Sequence, residues 1–194
     1  MTMMRKGCSL ILVCLLITAC GRSEESKFYA LNPIPYKAMK GGKFKNIPIA
    51  INAIEGPGYV QQPQLVVRQT PYRLKLEEYQ RWAESLNTNI GRVLETNLNT
   101  LLPGAIVEVF PWDPKFRPKY SLQVNIIKFE VDSRGRGVLR ANYIIYHQDK
   151  SLLKNSVSYQ RTIKTVTYEN IVASMNHLMT RFSRRIARSF RRTV

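Results

Sequence analysis

Two periodicities divide the chain. Ile47, Ile49 and Ile51 alternate with Pro48, Ala50 and Asn52, which predicts a half-buried strand ended by Gly56-Pro57-Gly58. Leu65-Val66-Val67 predicts a second short strand over 64–68, with Pro63 at its start, where a missing N–H is tolerated. From Glu77 to Leu102 the spacing changes to three and four. Tyr79, Trp82, Leu86, Ile90, Val93, Leu94, Leu98 and Leu101 fall on one face of a predicted helix, and Glu77 and Glu78 would favour the dipole of its first turn. Such a helix would be about 39 Å long, with Pro103-Gly104 stopping it.

Period two returns at Ala105 to Phe110 and dominates the next stretch. Tyr120, Leu122, Val124 and Ile126 line one face before Ile127, Phe129 and Val131 move to the other, a change of parity that predicts a bulge or a strand covered on both sides. Asp132 to Gly137 reads as a turn. Strands over 138–147 and 157–166, joined through Gln148 to Asn155, complete an antiparallel meander. Ile171, Met175, Leu178, Phe182, Ile186 and Phe190 then form the apolar stripe of a last helix, Glu169 to Arg192. The expected fold is α+β: one domain, an antiparallel sheet packed by two long helices.

The N-terminal region follows other rules. Arg5 and Lys6 precede the apolar run Leu10 to Ile17, too short for a hydrocarbon core that needs about 20 apolar residues, so it reads as the h-region of a signal peptide. Leu16-Ile17-Thr18-Ala19-Cys20-Gly21 resembles the bacterial lipobox. That resemblance implies cleavage after Ala19, diacylglyceryl transfer to the Cys20 thiol and acylation of the new amino terminus. Gly21 is not aspartate, so nothing resembles the inner-membrane retention signal and the outer membrane is expected. Arg22 to Lys45 is polar, with Pro33, Pro35 and Gly41-Gly42, apart from Phe28-Tyr29-Ala30-Leu31. The expected division is therefore 1–19 signal, 20–45 lipidated tether with one early strand, and 46–194 folded domain.

Charge narrows the choice of partners. The 194 residues carry 30 Lys and Arg against 13 Asp and Glu, a net +17. Residues 1 to 19 hold two of the positive charges and none of the negative ones, so the exported chain keeps +15 and its partners should be acidic. Export removes nucleic acid from consideration and leaves anionic headgroups or an acidic protein face. Arg181, Arg184, Arg188 and Arg191 concentrate this charge on the last helix, which has no acidic residue after Glu169. Charge of this kind near an anionic membrane is worth about 1 kcal/mol per basic residue.

Catalytic material is sparse. Cys8 and Cys14 leave with the signal and Cys20 becomes a thioether, so a disulfide scaffold is excluded. His177 shares a helix side with Arg181 and Arg184 and reads as a solvated surface residue; His147 ends a strand without a second ligand at metal spacing. Asp113 lies in a Trp-Asp-Pro turn, where local hydrogen bonding suffices. Gly135-Arg136-Gly137 leads from strand to strand, whereas a phosphate cradle needs a helix N-terminus. No enzyme, metal or cofactor is expected beyond the covalent lipid on Cys20.

Taken in order, several pieces resemble the auxiliary lipoproteins of intermembrane lipid transport systems, the PqiC-like family. They are Cys20, Phe28 to Leu31, Tyr59-Val-Gln-Gln-Pro-Gln-Leu-Val-Val-Arg68, Arg81-Trp82-Ala83-Glu84-Ser85-Leu86, Asn97-Leu98 and Phe129-Glu130. Ser85 stands where the family often has proline, and Tyr143 where a strand tryptophan is common. The resemblance implies a non-enzymatic lipoprotein on the periplasmic face of the outer membrane that docks a periplasm-spanning subunit carrying mammalian-cell-entry (MCE) domains. It also implies self-association in rings. Tyr59, Pro63 and Arg68, around a proline-rich turn, are the expected partner contacts, and Trp82 is expected in the core. The alternative is a lipid carrier holding an acyl chain in its own cavity, which the two-sided strand around Ile126 and Ile127 could line.

Overall fold

The computed structural model describes residues 24–35 and 42–194. Ala19, Cys20, the signal segment and part of the tether lie outside them. The described chain forms one eight-stranded sheet with two helices packed on it, an α+β single domain.

The sheet is built around β6 (Tyr120–Asp132). On one side β6 runs antiparallel to β7 (Arg136–His147), which pairs with β8 (Lys150–Thr162) at the sheet edge. On its other side two branches attach in parallel. β2 (Pro48–Ile51) joins the first residues of β6 and carries β5 (Ile106–Val109), also parallel. β3 (Gln64–Arg68) joins its last residues and pairs antiparallel with β4 (Leu74–Trp82), to which β1 (Lys27–Tyr29) adds in parallel. The meander is thus antiparallel as expected, but the sheet as a whole is mixed. Parallel pairing joins strands distant in sequence, and no local alternation encodes it.

The first helix is shorter than its periodicity predicts. α1 spans Leu86–Leu101, 16 residues, or about 24 Å. Residues 74–82, which supply Tyr79 and Trp82 to the helical pattern, are strand β4 instead. Ser85 separates the two elements, its Oγ accepting from the Thr88 N–H at 3.4 Å as an N-cap. Glu77 and Glu78 therefore stand on a strand and not in a helical first turn. Glu77 is buried, paired with Lys75 at 2.9 Å and accepting from the Tyr168 hydroxyl at 2.9 Å.

A second departure is at β8, which starts at Lys150 rather than 157. Gln148, at φ 51°, makes a tight reversal out of what polar composition presents as an eight-residue loop. The polar residues from Lys150 to Ser156 belong to an edge strand, where water can take one face. The parity change in β6 is a bulge: the register shifts between Ile126 and Lys128, and Ile127 is left 49% exposed.

α2 (Tyr168–Thr193) follows its predicted stripe closely. The Thr167 side chain caps it, accepting from the Asn170 N–H at 3.2 Å, and Glu169 lies in its first turn. All six stripe residues are buried, with Phe182 against Tyr143 at 5.9 Å between ring centroids. Tyr143 also shares a 2.7 Å hydrogen bond with Ser189. The segment after β1 is fastened to both helices: Asn89 accepts from the Leu31 N–H at 2.6 Å, Asn97 from the Ile34 N–H at 2.8 Å, and Asn176 from the Asn32 N–H at 2.8 Å. Buried Asn97 also donates to Ser183 at 2.9 Å, joining α1 to α2.

Candidate functional site

Residues 181, 184, 188 and 191 recur at three and four, so once the apolar stripe of α2 is buried their side chains emerge together on the solvent side. They line an open cleft of about 480 Å³ with Leu101, Tyr159 and Ala187. Tyr159, on β8, forms one wall, with the Arg181 guanidinium 4.6 Å from its ring centroid. At the other end Arg191 donates to the Leu101 carbonyl, which belongs to the last turn of α1. Between them Arg188 Nε donates to the Arg184 carbonyl at 3.3 Å. Three elements thus hold four guanidinium groups over a partly apolar floor.

Among the described residues, none of these four arginines forms an ion pair. The excess charge reaches its neighbours. Burial, and then Arg161, Arg181 and Arg184, hold the exposed His177 below the usual imidazole value. The cleft is suited to binding carboxylates or phosphates, for which the arginine fork gives paired hydrogen bonds.

The second set of candidates is organised differently. Tyr59 lies in a 3-10 turn (Gly58–Gln61), and its hydroxyl oxygen accepts from the Phe129 N–H at 3.3 Å. Burial and the neighbouring Glu130 push this hydroxyl up to about 12, so it stays protonated. Arg68 is engaged with Glu130 through both Nε and Nη2, the latter at 2.9 Å, and with the Pro71 carbonyl at 3.0 Å. Lys128 adds a third contact to the same carboxylate at 3.0 Å. Pro63 is exposed, while its carbonyl accepts from the Trp82 N–H at 2.8 Å. The structure therefore brings Tyr59 and Arg68 together around Glu130 and leaves Pro63 as the outward member.

Glu130 is the residue that sequence reasoning passed over. It appeared only as half of Phe129-Glu130, though a lone acid inside an apolar strand signals a buried partner. Burial raises its pKa, but Arg68 and Lys128 outweigh that and hold the carboxyl below the ordinary range. Trp82 is buried, as expected, but from a strand. Gly135 sits in a hairpin turn at φ 78°, where a Cβ would come within 2.7 Å of the Ile163 carbonyl. Asp113 hydrogen-bonds locally, Oδ1 accepting from the Lys115 N–H at 2.7 Å, and His147 stacks on Tyr120 at 4.9 Å.

The space beside the two-sided strand is small. Between Tyr59, Trp82, Leu86, Phe129 and Met175 it amounts to about 10 Å³, at most a single water and far less than an acyl chain requires. An open cleft of about 400 Å³ lies instead between α1 and β5, lined by Ile54, Gly91, Val109 and Phe110. Ile127 stands out on the bulge rather than lining a cavity. No helix among the described residues is long and apolar enough to cross a membrane.

Comparison with known proteins gives a family match over residues 29–187, to a family described as ABC-type transport auxiliary lipoprotein component. No curated protein matches. Solved structures share the fold. One, described as an uncharacterized protein, is 19% identical with a TM-score of 0.72, covering 86% of this chain and 99% of the other. A protein from Xanthomonas campestris, assigned to the DUF330 family, is 13% identical with a TM-score of 0.68, covering 84% and 93%. A PelC dodecamer from Paraburkholderia phytofirmans is 10% identical over 74% and 91%, with a TM-score of 0.46, an overlap too loose to bear on assembly of this chain.

Proposed function

Since this chain belongs to the ABC-type transport auxiliary lipoprotein family, we propose that it is the outer-membrane docking component of an intermembrane lipid transport system. Cleaved after Ala19 and acylated on Cys20, it would sit on the periplasmic face of the outer membrane and receive the distal end of a periplasm-spanning MCE-type subunit. The observation that carries this reading is the arginine cleft. Four guanidinium groups that form no ion pair among the described residues, fixed on a buried and capped helix, form a preorganised surface for an acidic face. Such a surface steers encounter through its field and fixes orientation through the forks, without any chemistry on the cargo.

Pro63 supplies a second contact. Tyr59 and Arg68 position it by tying its turn to Glu130. The carrier alternative finds no acyl-sized space beside Trp82, Phe129 and Met175, and would have to use the open cleft between α1 and β5. Purification of the membrane-anchored protein, followed by mass spectrometry of bound proteins and lipids, separates the two. The spanning subunit without stoichiometric lipid supports docking; one lipid per chain and no subunit overturns it.

A further inference from the structure

The chain enters the domain at one end of the sheet. Glu24, the first described residue, lines a cleft there with Lys75, Leu76 and Tyr168. Three residues separate it from Cys20, and the four Cα–Cα steps between them reach no more than about 14 Å. On the lipoprotein reading above, the acyl chains therefore hold this end of the domain close to the bilayer.

Three connections converge at the same end. They are the β3–β4 hairpin, residues 69–73, the β6–β7 turn, residues 133–135, and the link from β8 into α2, residues 163–167. The Ser133 N–H donates to the Arg68 carbonyl at 2.9 Å, and the Ile163 N–H donates to the Gly135 carbonyl at 2.9 Å, which fastens them into one surface. Gly135 permits this close approach, since a side chain there would strike Ile163 and Val166. Of the seven large hydrophobic residues that the described chain exposes, three are here: Tyr72 at 98%, Leu76 at 45% and Val166 at 43%. Arg73 and Lys164 are exposed in the same connections, and Arg134 lines a cleft of about 330 Å³ with Thr70, Lys128 and Arg136.

We propose that this end, with Tyr72 foremost, seats on the phospholipid surface that holds the lipid anchor. A tyrosine places an apolar ring and a polar hydroxyl where headgroups meet acyl chains, and the basic side chains around it reach phosphates. Carboxylates are present as well, Glu77 and Asp132 in ion pairs and Glu24 and Glu78 outside them, so the anchor and the ring, rather than net charge, drive the contact. α2 begins at this end with Tyr168. Its Arg181 and Arg191 then lie about 20 and 35 Å further along the helix, so the arginine cleft faces the periplasm and not the bilayer that anchors the protein.

The mature chain has no free thiol once Cys20 is acylated, so Tyr72→Cys creates a unique labelling site, and its full exposure makes the change harmless to the fold. The acylated protein, labelled there with an environment-sensitive fluorophore, is reconstituted in phosphatidylcholine–phosphatidylglycerol vesicles and compared with Arg192→Cys at the far end of α2. The label at 72 should be quenched severalfold more strongly by a lipid-borne quencher and severalfold less by aqueous iodide. Equal or reversed quenching in protein that floats with the vesicles overturns the orientation alone. Protein that does not float overturns the lipoprotein reading, and the orientation with it.

Discussion

Arg68 on β3 and Glu130 on β6, 62 residues apart in sequence, are joined by a two-pronged ion pair at the point where the β3–β4 branch meets the central strand. Glu130 is buried and Arg68 is partly open to solvent, so the pair places a charge inside the sheet and compensates it from the rim. Breaking such a pair from one side costs about 3 kcal/mol, because the remaining charge stays buried. Arg68→Ala should lower the urea midpoint accordingly, and Lys128→Ala should cost less, its amine being the more exposed partner and the carboxylate keeping Arg68.

The same pair gives the domain an acid-sensitive component. Because Glu130 is held below its unfolded value of about 4.3, its stabilisation is fully present above that pH and is lost as pH falls through the lower folded value. Urea melts between neutral pH and the onset of acid unfolding should therefore show falling stability below that point. Glu130→Gln should start from a lower plateau with a shallower acid limb; an unchanged limb would assign it to other carboxylates.

Trp82→Ala removes a buried side chain and should cost about 3 to 5 kcal/mol. Its effect should appear as a lower melting temperature before any change in partner binding. A variant of unaltered stability that no longer binds would place Trp82 in an interface.

Asn97 fastens the N-terminal segment to α1 and α1 to α2, so Asn97→Ala leaves the Ile34 N–H without its partner and removes the donor to Ser183, whose hydroxyl keeps only the Met179 carbonyl. A loss of about 1 to 3 kcal/mol is expected. Hydrogen exchange should accelerate at Leu31 to Ile34 more than in β6 or β7.

Cys20→Ser should release the protein into the soluble periplasmic fraction or stall it unprocessed, without unfolding the domain. Recovery of the serine variant as a mature, membrane-held protein would contradict acylation at that residue.

Much of this fold is legible along the chain, and the rest fails for definite reasons. α2 was readable because one long apolar stripe runs its length with no competing pattern. The β6 bulge was readable because a slip of one residue moves Phe129 and Val131 to the opposite parity. α1 was overextended because Tyr79 and Trp82 on a strand happen to continue the spacing of Leu86 and Ile90, and Ser85, which separates them, is a weak signal in one sequence. Parallel pairing of β2 with β5 and β6 depends on contacts across long stretches of chain. At the candidate site, helical spacing assembled the four arginines by itself, while Tyr159 and Leu101 come from elements that spacing could not bring near. The engagement of Arg68 was hidden for the same reason, since its partner lies on another strand.

The docking role rests on the arginine cleft, and binding of the soluble domain to the periplasm-spanning subunit at low and high salt tests it most directly. Replacing Arg184, Arg188 and Arg191 with glutamine should weaken that binding at least tenfold at low salt and flatten its salt dependence, because exposed charges are screened beyond about 8 Å at physiological ionic strength. Melting temperature should hardly change, since exposed charges contribute little to folding. An affinity and a salt slope equal to those of the unaltered domain would contradict the account and leave the arginines as solubilising charge.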